Sequence, residues 1–233
     1  MTQPDTLPLG RVPGPEDKRD AAYPMTLALS MQFPFPPSRY WYPGPQPLYQ
    51  GNVGACVGFT GANWMQNTPI KTSVLSQTGL DLYYACKKID GLPPGVEGTY
   101  ARILLKVLQA QGRVSRYLWA TGPEMLKQYL LTSGPVLVGT PWRDGMFRVN
   151  SNGFVQPSGV DVGGHEYLVR GYSNGLGAFR CRNSWGAGWG IGAGNLWAGN
   201  GGEFWIDERH LYDLLWGARG WGDAIGIDEW RVC

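Results

Sequence analysis

The chain has 233 residues, of which 43% are hydrophobic and 16% are charged, and its formal net charge is +2. This length is enough for one compact domain, or for two closely packed subdomains, with a sizeable core. The low and balanced charge argues against a disordered chain and against a protein that binds nucleic acid through a basic face.

The sequence lacks the patterns that would direct it to or through a membrane. No apolar stretch approaches the ~20 residues of a membrane span, and no signal peptide is recognisable. We therefore expect a protein that has no membrane partner and lies in the cytoplasm or is associated with a particle.

Residues 1–47 are predicted to form an N-terminal arm. Eleven prolines in this stretch disfavour long helices and central strands. The apolar run at residues 25–29 and the aromatic triplet at residues 40–42 are nevertheless too hydrophobic for a solvated tail. We expect the arm to lie against the body of the protein or against an assembly partner.

Four helices are predicted in the first part of the remaining chain. Apolar residues at helical spacing run from Cys56 to Met65, and further helices are expected at about residues 81–88, 100–111 and 123–133. The third has a stripe of apolar residues and a glycine stop, and the fourth opens with a proline, which suits the first turn of a helix.

The pattern changes to strands and turns after residue 135. Short apolar runs predict strands at residues 136–139, 167–171, 178–182 and 203–206, and residues 208–216 form a turn or a helix. Helices first and strands second indicate an α+β fold with two lobes. We place a helical lobe at about residues 48–133 and a β-rich lobe at about residues 134–233.

The cysteines and histidines limit the chemistry. The four cysteines show no CxxC spacing and the two histidines lie far apart, so the sequence predicts neither a metal site nor a cofactor. Cys86 and Cys181 fit buried core positions, Cys233 is expected to be exposed, and His210 is expected at the surface. The thiols are expected to be reduced.

Cys56 is the best candidate for a nucleophile. It follows a glycine-containing turn and opens the first predicted helix, where the helix dipole favours a thiolate. By itself this position is also compatible with an inert buried cysteine. A Gly-His pair at residues 164–165 and an asparagine at residue 183 add a base and a group that could orient it.

Together these segments resemble the papain-like cysteine peptidases, especially their bacterial and phage-like branch. The similarity rests on QGNVGAC at residues 50–56, on Gly164 and His165, and on NSWGAGWG at residues 183–190, and it covers about residues 47–206. It implies an α+β fold in which an active-site cleft separates a helical lobe from a β-rich, barrel-like lobe. A peptide or protein substrate would lie extended in that cleft.

The resemblance also implies a role for individual residues. Cys56 is the expected nucleophile, and His165 is the expected general base and then general acid. Asn183 would hold the imidazole of His165, and Gln50 would donate its amide to the oxyanion. Trp185 would cover the contact between His165 and Asn183. The implied activity is that of a thiol endopeptidase that forms an acyl-enzyme.

Some positions depart from the family pattern. Val53 replaces a half-cystine, Val57 replaces an aromatic residue, and Glu166 stands where a small residue is common. Glu166 is expected either to alter the pKa of His165 or to contact substrate. The arm is too short for the separately folded inhibitory segment of many family zymogens, but it could lie across the cleft or tether the enzyme to an assembly.

Two alternatives to a protein-cleaving enzyme stay open at this stage. The fold could serve as a structural or binding component of a larger assembly, such as a phage particle, or the enzyme could hydrolyse cell-wall peptides. The first is motivated by the arm and by Val57, and is weakened by the presence of all four expected site residues.

Overall fold

The structure is a computed structural model that describes residues 7–15, 17, 20, 24–25, 35–191 and 201–231. In chain order, the elements of these residues are β1 (Arg39–Tyr40), α1 (Cys56–Gln66), α2 (Ser76–Lys87), α3 (Ala101–Ala110), β2 (Val114–Trp119), α4 (Pro123–Thr132), β3 (Val136–Arg143), β4 (Asp161–Ser173), β5 (Ala178–Arg182), β6 (Glu203–Asp207), α5 (Glu208–Trp216) and β7 (Asp223–Trp230). A 3-10 helix, Asp144–Phe147, follows β3. Residues 26–29 of the apolar run and Cys233 lie outside the described residues.

The four predicted helices are confirmed, and the largest difference is at the start of α2. This helix begins at Ser76, five residues before the predicted start at residue 81. Its first turn, SQTG, has no apolar stripe, so periodicity could not detect it. The segment left open as a turn or a helix is the helix α5. No helix in the described ranges is long and apolar enough to span a bilayer.

The strands form an antiparallel sheet with the order β2-β7-β3-β4-β5-β6, and β1 pairs with β4. The predicted α+β class is confirmed, but the sheet is open rather than closed into a barrel, because β2 and β6 are its two ends. The predicted strands are longer than expected at β3 and β4, and β1, β2 and β7 were not predicted. The division into lobes remains a proposal.

The sheet separates two clusters of buried apolar side chains. Val136 and Val138 of β3 belong to one cluster with residues of α4 and α5, whereas Leu137 belongs to the other with residues of α1, α2 and α3. The same alternation occurs in β4, where Leu168 belongs to the cluster with α1, α2 and α3, which we call the helical cluster. Because side chains alternate along a strand, Glu166 points to the same face as Leu168.

The arm contacts the body at residues 40–42, as their hydrophobic character predicts, but only Trp41 is buried there, and Tyr40 and Tyr42 stay exposed. The indole of Trp41 is buried and donates a hydrogen bond to the carbonyl of Leu130, at 2.9 Å. Tyr40 lies in β1 and packs edge-on against Trp205. The arm therefore has ordered contacts with the sheet and with α4.

A buried charge cluster joins the strands β4, β5 and β6. The carboxylate of Glu203 accepts hydrogen bonds from Arg170, at 2.6 and 2.7 Å, from Arg180, at 2.7 Å, and from Arg182, at 3.2 Å. Although burial alone would raise it, these guanidinium groups lower the pKa of Glu203 to about 2. Glu203 is therefore ionised in the fold and compensates several buried positive charges.

We predict that Glu203→Gln lowers the free energy of unfolding by about 3 kcal/mol or more, because breaking a buried ion pair leaves charges uncompensated. Urea unfolding at neutral pH measures this loss, and Glu229→Gln, at an exposed ion pair, is the matched control. Because the pKa of Glu203 is lowered on folding from 4.5 to about 2, its contribution is complete above pH 4.5 and is lost as the pH falls towards 2. An equal loss in the two variants would contradict this assignment.

Candidate active site

Cys56 is the first residue of α1, a helix whose eleven residues are all buried. The backbone N–H of Glu166, on β4, donates a hydrogen bond to the Cys56 sulfur at 3.4 Å. The first backbone N–H groups of a helix have no partner within the helix, so they also surround the sulfur with positive potential. Two elements thus provide donors for a negative charge at Cys56.

The imidazole of His165, on β4, is bound to Asn183. The distance between Nε2 of His165 and Oδ1 of Asn183 is 2.7 Å, and the same Oδ1 accepts the backbone N–H of Ser184, also at 2.7 Å. Since a backbone N–H can only donate, this atom is the oxygen, and Nε2 must carry the ring proton. The Nδ1 of neutral His165 is therefore an unprotonated acceptor, and it has no hydrogen-bond partner within the described residues.

Two tryptophans enclose the pair formed by His165 and Asn183. Trp185 stacks on the imidazole with ring centroids 4.6 Å apart, and Trp142 meets it edge-on at 4.8 Å. The predicted position of Trp185 over this contact agrees with that stacking. His165 has no exposed surface, and burial lowers its pKa to about 4.

The same burial acts in the opposite direction on Cys56. Loss of solvent raises the pKa of its thiol well above the ordinary range, and the hydrogen bond from Glu166 offsets only part of this effect. A buried cysteine is disfavoured as a thiolate, and a buried histidine is disfavoured as a cation. In the described conformation, Cys56 and His165 are therefore both neutral at pH 7.

Gln50 lies beside this centre with its amide group fully engaged. Its oxygen accepts a hydrogen bond from the hydroxyl of Ser184, at 2.5 Å. Its Nε2 is 2.8 Å from the carbonyl oxygen of Val53, 3.2 Å from that of Pro8 and 3.4 Å from that of Leu9. The amide predicted to face an oxyanion thus faces two carbonyl groups of the N-terminal arm.

Residues 8–12 of the arm cross the site and bind both sides of it. The N–H of Arg11 donates to the carbonyl of Gly164, next to His165, at 3.0 Å. On the other side, the N–H of Val12 donates to the carbonyl of Thr99, and the N–H of Thr99 donates to the carbonyl of Gly10, both at 2.9 Å. These contacts agree with the first of the two possibilities left open for the arm, a position across the predicted cleft.

At Gly10 the arm lies directly against Gly54, in the loop that precedes α1. A Cβ at this residue would lie 2.0 Å from the carbonyl oxygen of Gly54, and the φ of Gly10 is +141°. Both facts require glycine, because a side chain would overlap with backbone and the conformation suits only glycine. The arm is therefore closely packed against Gly54, two residues before Cys56.

Of the two roles expected for Glu166, an effect on the pKa of His165 is not borne out, and a contact with substrate stays a prediction. Burial and Asn183 account for the shifted pKa of His165, without a contribution from Glu166. Instead the Glu166 carboxylate forms an ion pair with Arg11 of the arm, 3.2 Å from its Nε. Sequence reasoning missed Arg11, as well as Asp223, which also binds this guanidinium, because no local pattern connects residues so distant in the chain.

The remaining cysteines and histidines described lie away from this centre. Cys86 and Cys181 are fully buried free thiols, as predicted, and His210 is exposed on α5, also as predicted. Val57, at the position where an aromatic residue was expected, is buried in the helical cluster. The structure brings His165 and Asn183 into contact and places Cys56 and Gln50 near them, and the catalytic roles of these residues stay predictions.

No protein-family model matches the chain, and no curated protein matches it either. Among solved structures it is similar to xylellain, a cysteine protease from Xylella fastidiosa, with 20% identity, a TM-score of 0.71 and coverage of 96% of both chains. It is also similar to digestive procathepsin L 3 of the Tenebrio molitor larval midgut, with 18% identity, a TM-score of 0.62 and coverage of 87% of this chain and 73% of the other.

A third similar structure is procathepsin B from Trypanosoma congolense, with 15% identity and a TM-score of 0.62. The match covers 98% of this chain and 85% of the other. All three proteins are papain-like cysteine proteases, and the similarity extends over nearly the whole chain. The chain therefore has the fold of the papain-like cysteine peptidases.

Proposed function

We propose that the chain is a cysteine endopeptidase that uses Cys56 as nucleophile and His165 as base. The observation that carries this proposal is the state of the His165 ring. Asn183 fixes the proton on Nε2, which leaves a lone pair on Nδ1, and the next residue of β4 donates its N–H to the Cys56 sulfur. Acyl transfer requires a base held in one tautomer and a thiol at a helix start, and here the residue after that base contacts the thiol.

In the proposed reaction, Nδ1 of His165 takes the thiol proton, and the thiolate sulfur attacks the carbonyl carbon of the substrate. The amides of Gln50 and Cys56 donate hydrogen bonds to the oxyanion. When the C–N bond breaks, the proton on His165 passes to the leaving amine. Water then adds to the thioester with His165 as base, and the acid product leaves as the thiol reforms.

The described conformation is the closed form in this proposal. A substrate carbonyl cannot reach Cys56 while residues 8–10 fill the space in front of it, and the carbonyl groups of Pro8 and Leu9 occupy the Gln50 amide. Withdrawal of the arm would admit water, which moves the pKa values of Cys56 and His165 towards each other. An ion pair between thiolate and imidazolium then becomes accessible.

The arm also indicates how a substrate would lie. It is an extended peptide that uses backbone hydrogen bonds to Gly164 on one side and to Thr99 on the other. A peptide substrate would find the same donors and acceptors once the arm leaves. Gly98, directly before Thr99, also contacts Gly10.

Gly10→Ala is predicted to open the cleft. The new methyl group meets the Gly54 carbonyl and strains the backbone, which costs about 1–3 kcal/mol in the closed form. We expect Cys56 to react with iodoacetamide at least about tenfold faster than in wild type. Gly14→Ala is the matched control, because a Cβ there has room, with its nearest neighbour at 3.9 Å. Equal rates in both variants would show that the arm does not close the site.

Covalent labelling in the Gly10→Ala background tests the proposed chemistry. A thiol-peptidase epoxide inhibitor, read by peptide mass spectrometry, should label Cys56 and leave the buried thiols of Cys86 and Cys181 unmodified. Because the imidazole generates the thiolate, His165→Ala should slow the labelling by about 10² or more. Cys56→Ala should abolish it.

A rate of labelling that does not change in His165→Ala would contradict the proposed pair. That result would instead support the alternative in which the fold is a structural component of an assembly. If Cys56 is labelled but only cell-wall peptides are cleaved, the chemistry stands and the substrate class changes.

A further inference from the structure

Three neighbouring strands bring Glu166, Gly139 and Asp223 into one row. Gly139 of β3 pairs with Glu166 of β4 on one side and with Asp223 of β7 on the other. All three residues lie on the face of the sheet that is turned to α1, α2 and α3, since Leu168, Leu137 and Ile225, each two residues away on the same strand, belong to the helical cluster. The row therefore has a carboxylate at each end and no side chain in its centre.

The side chain of Arg11 fills this row. Its Nε is 3.2 Å from the Glu166 carboxylate, its Nη2 is 2.5 Å from that of Asp223, and its Nη1 donates to the carbonyl of Trp221 at 3.4 Å. The guanidinium also lies over the Trp221 ring, 5.0 Å from its centroid. Carboxylates, a carbonyl group and an aromatic face together recognise a planar cation.

Gly139 makes the space for this cation. A Cβ on Gly139 would lie 1.9 Å from Nε and 2.3 Å from Cδ of Arg11, and 2.3 Å from a carboxylate oxygen of Glu166. Any other residue would fill the centre of the row and separate Glu166 from its partner. The absence of a side chain at Gly139 therefore leaves room between the two carboxylates for the side chain of Arg11.

The carboxyl group of Glu166 is the buried end of this pocket and lies next to the cation. It is fully buried, neither of its carboxylate oxygens accepts a hydrogen bond, and Arg11 is its ion-pair partner among the described residues. Asp223 is partly exposed, so one end of the pocket reaches solvent. Burial raises the pKa of Glu166 to about 8, and the charge of Arg11 opposes this rise, so a cation in the pocket favours the ionised carboxylate.

We infer that the pocket formed by Glu166, Gly139 and Asp223 binds an arginine side chain of the peptide substrate, and that Arg11 occupies it in the closed form. This inference deepens the proposed function and rests on it for the word substrate. Arginine fits better than lysine, because its fork of donors can reach both carboxylates at once and its plane stacks on Trp221. The pocket lies beside the catalytic centre, since Glu166 directly follows His165 in β4.

The first experiment compares peptides that differ only in charge. In the Gly10→Ala protein, fluorogenic peptides carry arginine at one of four positions before the cleaved bond, or citrulline, its neutral isostere, at the same position. We expect kcat/KM to be at least about tenfold higher for arginine at one position, as for a buried charge pair. Glu166→Gln should remove this preference, whereas Glu229→Gln, at the surface, should keep it.

The second experiment is independent of peptide cleavage. Arg11→Ala in the full chain leaves the pocket empty, and ethylguanidinium at millimolar concentration should raise its Tm, whereas neutral ethylurea should not. The gain should be absent in wild type, where Arg11 fills the pocket, and in the double variant Arg11→Ala, Glu166→Gln. If Arg11→Ala does not fold, Arg11→Gln is measured in the same way and the peptide comparison still decides.

These outcomes separate the two proposals. Selective stabilisation by ethylguanidinium without cleavage of any peptide would support the pocket and reject the peptidase. Cleavage with equal rates for arginine and citrulline at all four positions, unchanged by Glu166→Gln, would overturn the pocket as a substrate site. The contact with Arg11 would then serve only to hold the arm.

Discussion

The packing of α1 on β4 is the contact on which the site depends. Every residue of α1 is buried, and β4, with thirteen residues, pairs with β1, β3 and β5. The hydrogen bond from the Glu166 N–H to the Cys56 sulfur lies where these two elements meet. A fully buried helix and a strand held by three partners have little freedom to move, because close-packed interiors resist displacement. The position of Cys56 relative to His165 is therefore set by the core of the protein, and loops contribute the parts that close the site.

Exclusion of water from Cys56 and His165 favours their neutral forms, whereas the proposed reaction requires their ionised forms. Excluding water holds His165 against Asn183 and Trp185, but it also raises the pKa of the Cys56 thiol and lowers that of the imidazole. Ionisation of the pair requires polar surroundings, which can be bulk water or the polar groups of a bound substrate. A segment that seals the cleft with apolar contacts and backbone hydrogen bonds can thus keep the thiol inert without altering a catalytic residue. The neutral state follows from burial alone and needs no change in the fold.

The sequence was sufficient for the parts of the structure that depend on neighbouring residues. The stripe on α3, the proline that opens α4 and the motifs around Cys56, His165 and Asn183 are all local patterns, and each predicted element is present. The pairing of β2 with β7 joins residues more than 100 positions apart, such as Tyr117 and Ile227, so no local pattern indicates it. The pocket around Arg11 is beyond sequence reasoning for the same reason, because its two carboxylates and its glycine come from three strands. The role of Gly139 is visible only when those strands are side by side.

The charged contacts of Arg11 bind the short arm more firmly than its few backbone hydrogen bonds could by themselves. A few backbone hydrogen bonds contribute little in net terms, because a solvated peptide makes equivalent bonds to water. A cation between one buried and one partly exposed carboxyl group adds charge-assisted contacts, and it opposes the rise that burial causes in the pKa of Glu166. In the proposed function, a peptide that lacks a cation would have to displace the arm without replacing the contacts of Arg11. A peptide that carries a cation would replace the contacts of Arg11 that it removes. In the proposed function, the same two carboxyl groups hold the arm in the closed form and favour peptides that carry a cation, so one row of residues links the regulation of the site to its selectivity.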